Sequence, residues 1–394
     1  MTIILFDDSS RNGLLPLTFT RPVAALRVGI LTIAEKWQRR FNTKISFLTE
    51  DYLQQKYPLQ LSSSNLFING SVCPDESLSE AIDKLAEGEA LSASNFLIAI
   101  KLNDSAAKEF RYLETSNFKT VEYTHPVTKI NFPENVFMYN DSELRKDFKL
   151  LTAGRSSMIL SSTNTVLGDD IFIEEGVEAE CSTFNTKSGP IYLGRNSQVW
   201  EGCHIRGSFA LCNDSQVKMG AKIYGMTTIG PFSRVGGEIS NSVITGYSSK
   251  GHEGYLGNSV LGEWCNIGAD SNNSNLKNNY AEVRLWDYKM ESFRKTGLQF
   301  CGLIMADHAK CAINTMFNTG TVIGVSANIF GAGFPRNFIP DFAWGGPQGL
   351  DVYALNKMFE TAEKVYERRN VCFDAIEKNI LSEVFERTSK HRKF

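Results

Sequence analysis

Leu193-Gly194-Arg195-Asn196-Ser197-Gln198-Val199-Trp200-Glu201-Gly202-Cys203-His204-Ile205-Arg206-Gly207-Ser208-Phe209-Ala210-Leu211 places an aliphatic residue at every sixth position. The series runs on through Val217, Ile223, Ile229 and Val235. It resumes as Tyr255, Leu261 and Ile267, and again as Met305, Cys311, Phe317, Ile323 and Ile329, with an earlier fragment at Leu167 and Ile173. Six is neither the helical period nor the alternation of a plain strand. It is the hexapeptide signature of a parallel β-helix, in which short strands line a triangular prism and the aliphatic residue points inward. Each coil pairs with the next, so stability accumulates coil by coil. A glycine-rich sandwich, the competing reading, would not hold a fixed six-residue phase. Hexapeptide helices are left-handed, an exception to the usual crossover preference.

Glycine marks the limits of this region. Of 31 glycines, only Gly13, Gly29, Gly70 and Gly88 precede Gly154, and none follows Gly349. Three segments are therefore expected: an α/β domain over 1–150, the β-helix over 151–349 and a helical extension over 350–394. In the first, Ile3–Phe6, Ile45–Leu48 and Leu66–Ile68 read as strands, and Gly29–Phe41 and Ser77–Leu85 as helices. Leu355, Phe359, Ala362 and Val365, then Ile376, Ile380 and Val384, recur at helical spacing in the last. Arg368-Arg369 and the terminal Lys390-His391-Arg392-Lys393 read as a solvated face and a frayed end, with an anion-binding tail as the alternative.

The 394 residues carry 41 Lys+Arg against 44 Asp+Glu, a net charge of −3. Such a balance argues against a nucleic-acid binder. No run of 18 apolar residues predicts a membrane span, and the acidic turn at Asp7-Asp8 argues against a signal peptide. The eight cysteines include no Cys-x-x-Cys pair and read as reduced thiols, which points to the cytoplasm.

His252 falls in a break of the six-residue phase, where a loop departs from the prism. A histidine there suits a general base, because it titrates near operating pH. Tyr255, Asn266 and Asn275 offer neutral donors and acceptors beside it. Arg234, Lys222 and Lys250 flank the gap with positive charge. The alternative makes His252 a turn residue and the asparagines corner fillers. His204 and His308 occupy regular hexads and read as outward-facing, and His125 before Pro126 as a turn. No set of three histidines on neighbouring coils suggests a metal-binding prism.

Lys250-Gly251-His252-Glu253-Gly254-Tyr255-Leu256-Gly257 and Asn266-Ile267-Gly268-Ala269 resemble the acetyltransferase segment of the GlmU-type family, bifunctional glucosamine-1-phosphate N-acetyltransferases and N-acetylglucosamine-1-phosphate uridylyltransferases. Ser274-Asn275-Leu276-Lys277 is similar to the segment that follows it, and Arg234 stands in a Thr-Ile-Gly-Pro-Phe-x-Arg match. The insertion Arg284–Leu298 and the helical tail resemble an alternative bacterial branch. The resemblance implies His252 as catalytic base, with Tyr255, Asn266, Asn275, Lys277, Arg234 and Lys250 on the sugar phosphate. It implies acetyl-CoA on Ala312, Asn314, Thr315 and Gly324, and a homotrimer. In the first domain the family's Gly-x-Gly-x-Arg phosphate loop appears as Asp7-Asp8-Ser9-Ser10-Arg11, without its glycines. Arg11, with Arg21 or Arg27, is implied as the nucleotide-binding cation, and Asn140 as a Mg²⁺ ligand beside Asp7 or Asp75. The reading that follows is sugar-1-phosphate processing: N-acetyl transfer at the β-helix and nucleotidyl transfer at the first domain. The alternative is a nucleotidyltransferase whose β-helix only forms a trimer.

Overall fold

The computed structural model describes residues 2–94, 96–110 and 118–394. It shows an N-terminal α/β domain, a left-handed parallel β-helix and two C-terminal helices. The N-terminal sheet has six strands in the order Ile45–Leu48, Thr2–Phe6, Ser64–Asn69, Phe96–Asn103, Glu89–Ala93, Lys119–Glu122. The first three run parallel. Phe96–Asn103 is antiparallel to both of its neighbours. The helix expected from Gly29 begins later, at Ile33, after a capping box between Thr32 and Glu35. The residues before it are held elsewhere: Gly29 N–H donates to Asn140, and Ile30 and Leu31 donate to Asp147.

Three parallel sheets form the prism. The first face stacks nine strands from Ile171–Ile173 to Phe338–Ile339, and the second runs from Glu178–Ala179 to Ala343–Gly346. The third runs from Thr165–Leu167 to Tyr255–Gly257 and continues as the pair Asn272–Asn273 and Met316–Phe317. Leu193, Val199, Ile205, Leu211, Val217, Ile223, Ile229 and Val235 all lie in one buried inner column set, with Met305, Cys311, Phe317, Ile323 and Ile329 above them. The phase departs from the sequence reading in two places. Leu167, in the first coil, is 39% exposed. Leu256, not Tyr255, enters the core, so Tyr255 points outward.

The first face is apolar on its outside as well. Phe172, Tyr192 and Ala210 pack against Ile30, Leu31, Leu144 and Leu151. Higher up, Val243, Val260, Ile304 and Val322 join one core with the N-terminal domain and the C-terminal helices. This is why strands such as Phe209–Leu211 and Leu303–Met305 are buried throughout, whereas His204–Arg206 and Lys222–Tyr224 on the third face alternate exposed, buried, exposed.

Polar contacts fix the register of this docking. Arg21 pairs with Asp307 and, at 3.1 Å, with Glu263. Thr20 Oγ1 donates to the same Asp307 carboxylate at 2.5 Å. Arg27 Nε donates to the Thr245 carbonyl at 3.1 Å. Asn140 accepts from Gly29 N–H and Thr228 Oγ1 and donates to the Met226 carbonyl.

The extension forms helices Leu355–Glu367 and Ala375–Arg387, preceded by Gly349–Val352, a strand antiparallel to Ala343–Gly346. Tyr366 stacks on Trp264 with ring centroids 3.8 Å apart. His308, expected to face outward, is buried beneath these helices at 5% exposure and stacks beside the same tyrosine. The tail is not frayed: Arg392 donates to Thr388 and lies over the Phe385 ring. No helix among the described residues is long and apolar enough to cross a membrane.

Removing one member of a buried ion pair leaves the other charge uncompensated, at a cost of roughly 3–5 kcal/mol. Asp307→Ala is expected to lower the urea unfolding midpoint accordingly, and Arg21→Met with Asp307→Leu to recover most of the loss. A wild-type midpoint for Asp307→Ala would refute the clasp.

Candidate functional site

The corner between the second and third faces carries the His252 loop. Below it lies Gly237, at φ +71°; a Cβ there would sit 2.8 Å from the His252 carbonyl oxygen and 2.9 Å from Glu253 Cα. Above it Gly254, at φ +117°, lies against the Ser271 carbonyl with no room for a side chain. Two glycines in the left-handed region thus let the loop lie flat between coils.

Lys250 anchors it from inside. Its register partner in the coil below is the core residue Val235. The side chain is buried, and Nζ donates to the Gly236 carbonyl at 2.8 Å and the His252 carbonyl at 2.9 Å. Among the described residues no carboxylate is hydrogen-bonded to it, and burial pushes its pKa down to about 8. The lysine expected to meet a sugar phosphate instead holds the backbone of the histidine, whose own side chain is exposed.

Tyr255 N–H donates to Asn272 at 2.7 Å, and Asn275 Nδ2 donates to Tyr255 Oη at 3.0 Å and to Asn258 Oδ1 at 2.8 Å. Asn258 borders an open groove of about 600 Å³ lined by Phe137, Met138, Met226 and Phe300. Asn266 is exposed on the second face, in register with Ser249 and Lys310. Glu253, beside His252, lies 3.7 Å from Lys222.

Ala312, Asn314 and Thr315 turn the same corner two coils above His252, about 10 Å away at the usual strand spacing. The Ala312 carbonyl accepts from Thr315 Oγ1 at 2.7 Å and from Ser271 Oγ at 3.1 Å. Asn314 is exposed. Gly324 does not join them: it turns the corner between the first and second faces, packed under Asp341. Arg234 is exposed on the second face, at its end nearer that other corner. Lys277 Nζ donates to the Glu282 carbonyl just ahead of the insertion. Asn258, Asn272 and Ser271 were missed in the sequence; their only signal is polar residues at corner spacing next to the His252 stretch.

In the N-terminal domain a cleft of about 430 Å³ opens at the carboxyl ends of Thr2–Phe6 and Ile45–Leu48, the position where open α/β sheets bind ligands. Asp7, Asp8, Arg11, Asn12, Glu50 and Phe110 line it. Where the family's glycines would bare their N–H groups, Ser10 N–H and Oγ donate to Asp8 instead. Burial raises the Asp8 pKa, but hydrogen bonds from Ser10, Asn69 and Lys129 outweigh it and hold the carboxyl below its ordinary value. Asp7 is pushed up by burial, against the opposing pull of Arg11, Thr49 and the Val23 N–H.

Of the cations implied for a nucleotide, only Arg11 reaches this cleft. Its guanidinium is occupied by Asp7, the Arg21 and Thr18 carbonyls and Tyr52 Oη. Arg21 and Arg27 serve the domain interface described above. Asn140 lies in that interface too, and Asp75 caps the helix Glu76–Asp83 by accepting from Leu78 N–H. The set implied for Mg²⁺ does not fit one, because the Asn140 amide is already engaged at both ends away from Asp7. No grouping of three or more His, Cys, Asp or Glu among the described residues could hold a metal ion.

Residues 3–156 match the family model described as sugar nucleotidyl transferase. The bifunctional protein GlmU of Methanocaldococcus jannaschii is 32% identical over 89 residues, which cover 22% of this chain and 21% of that protein. The bifunctional protein GlmU of Synechococcus elongatus is 24% identical over 188 residues, 45% of this chain and 37% of that one. The chain thus spans well under half the length of these curated relatives. Among solved structures, a UDP-N-acetylglucosamine acyltransferase from Campylobacter jejuni aligns with 58% of this chain and 83% of its own, at 12% identity and a TM-score of 0.30. Residues 3–156 are thus similar to sugar nucleotidyl transferases, and stretches of the chain are similar to bifunctional GlmU proteins.

Proposed function

We propose that the chain is a transferase of nucleotide-sugar synthesis that acetylates an amino-sugar 1-phosphate at the His252 corner, with acetyl-CoA as donor. The observation that carries this reading is an exposed imidazole on a loop fixed by a buried lysine below and a close-packed glycine on either side. His252 takes a proton from the attacking amine as the new N–C bond forms. The carbon–sulfur bond of the thioester then breaks and coenzyme A leaves. Fixing the loop backbone places the base before the substrate arrives, so little ordering remains to be done in the transition state. Tyr255, Asn275 and Asn258 form one hydrogen-bonded chain that suits the sugar hydroxyls, and Ala312, Asn314 and Thr315 edge the path for the donor.

The family match over residues 3–156 supports nucleotidyl transfer at the N-terminal cleft, with the Mg²⁺ complex of UTP as substrate. It equally favours a second reading, in which that is the only chemistry and the β-helix serves assembly. A homotrimer fits either. The first face is covered within the chain, while the second and third carry exposed apolar residues at their shared corner, Met219 at 61% and Ile313 at 67%. A cytoplasmic location suits these substrates.

His252→Ala is expected to lower kcat for acetyl transfer to glucosamine 1-phosphate by roughly 10²- to 10⁴-fold, with the oligomer intact by light scattering. Wild-type turnover by this variant would leave only the second reading. Lys250→Met tests the anchor separately. Because the folded pKa is depressed to about 8, the buried charge destabilises the protein below that pH. Stability should therefore rise from pH about 8 toward the ordinary lysine value near 10.4. The variant should lack this rise and lose kcat. Identical stability–pH profiles in wild type and variant would contradict the buried position.

A further inference from the structure

The N-terminal cleft shares a wall with a second cavity. Arg11, Asn12 and Glu50 line both. The second, about 290 Å³, is closed on its far side by Tyr288 of the insertion and by Arg387, Lys390 and His391 of the C-terminal segment. The two cavities differ in charge. Asp7, Asp8, Glu50 and Asp51 surround Arg11 in the first. In the second, Glu50 is the one carboxylate among the lining residues, against Arg11, Arg387 and Lys390.

These tail residues are positioned rather than loose. Arg387 Nη1 lies 3.0 Å from Glu50, and its guanidinium sits over the Tyr52 ring at 4.5 Å. Lys390 pairs with Glu291 at the tip of the insertion hairpin. The His391 ring meets Tyr288 edge-on at 5.3 Å. Glu50 and Glu291 are both partly exposed, so they orient the cations without removing them from water. A phosphate, with more charge and more acceptor oxygens than a carboxylate, can compete for the same donors. Meanwhile the loop that would wrap phosphates in the first cavity is closed on Asp8.

We propose that the C-terminal segment Arg387–His391 supplies the phosphate-binding groups of the N-terminal cleft, for the phosphates of a nucleotide or sugar phosphate. The phosphates lie in the smaller cavity against Arg387, Lys390 and His391. The hydroxyl-bearing remainder lies among Asn12, Asp8 and Glu50 in the larger one. This assignment rests on the reading of the cleft as a nucleotidyl-transfer site, and it replaces Arg21 and Arg27 as the cations of that site.

Titration calorimetry of the full chain with inorganic pyrophosphate and with UTP tests it. Lys390→Ala and Arg387→Ala should each weaken both ligands about tenfold, the worth of one charge-assisted contact. Lys393→Ala, which removes a cation two residues beyond that segment and outside the cavity lining, should bind as wild type. Arg387→Lys, which keeps charge and bulk, should retain part of the affinity if Arg387→Ala proves unstable. Equal affinity of wild type and Lys390→Ala, or no binding of either ligand by wild type, overturns the proposal. Release of pyrophosphate from UTP is scored separately. Binding that depends on Lys390 without turnover refutes nucleotidyl transfer and leaves the anion site standing. Turnover with binding indifferent to Lys390 does the reverse.

Discussion

Everything else in this molecule depends on the need to cover the outside of the prism's first face. A strand of this face turns its two end residues inward, as Phe209 and Leu211 do, and its middle residue outward. The outward row is Phe172, Tyr192, Ala210, Thr228, Val243, Val260, Ile304, Val322 and Phe338, apolar but for the one threonine. Such a strip cannot stay in water at the scale of about 25 cal/mol per Å² of apolar surface. The N-terminal domain and the C-terminal helices lie on it because it is there. Their polar residues are then conscripted: Arg21, Arg27 and Asn140 find partners on the β-helix, and none of them is left to contact a substrate.

Much of this was legible in the sequence. The six-residue phase names most of the inner columns, and the Lys250–Tyr255 stretch marks the corner where the regular pattern breaks. The difference between faces was written there too. Phe209-Ala210-Leu211 and Leu303-Ile304-Met305 are apolar at all three positions, whereas His204-Ile205-Arg206 is apolar only in the middle. A triplet apolar throughout demands a covering surface, but the triplet does not say which part of the chain supplies it. Charges are harder still. Arg21 and Asp307 are 286 residues apart, and nothing local to either predicts the other. Lys250 misled for a related reason: a lysine beside a histidine reads as substrate-facing, yet the coil from Val235 to Lys250 is shorter than the one from Val217 to Val235, and the shortening turned it inward.

The two candidate sites are also joined by structure. Glu263, which pairs with Arg21, belongs to the strand Val260–Glu263 and stands next to Trp264, the ring on which Tyr366 stacks. From Tyr366 the chain runs into the helix that carries Arg387. The N-terminal cleft, the prism and the tail therefore form one packed unit, and the clasp at Asp307 is where all three meet.

The path of the tail has a consequence for how the protein is made. The strand Thr2–Phe6 leaves the ribosome well before Arg387, which follows more than 380 residues later. At 5–20 residues per second that is a delay of tens of seconds. During it the N-terminal domain is without Arg387 beside Glu50, and its docking surface around Val23, Leu26 and Val28 waits for coils still being synthesised. The nascent chain thus carries an uncovered apolar surface for most of its translation.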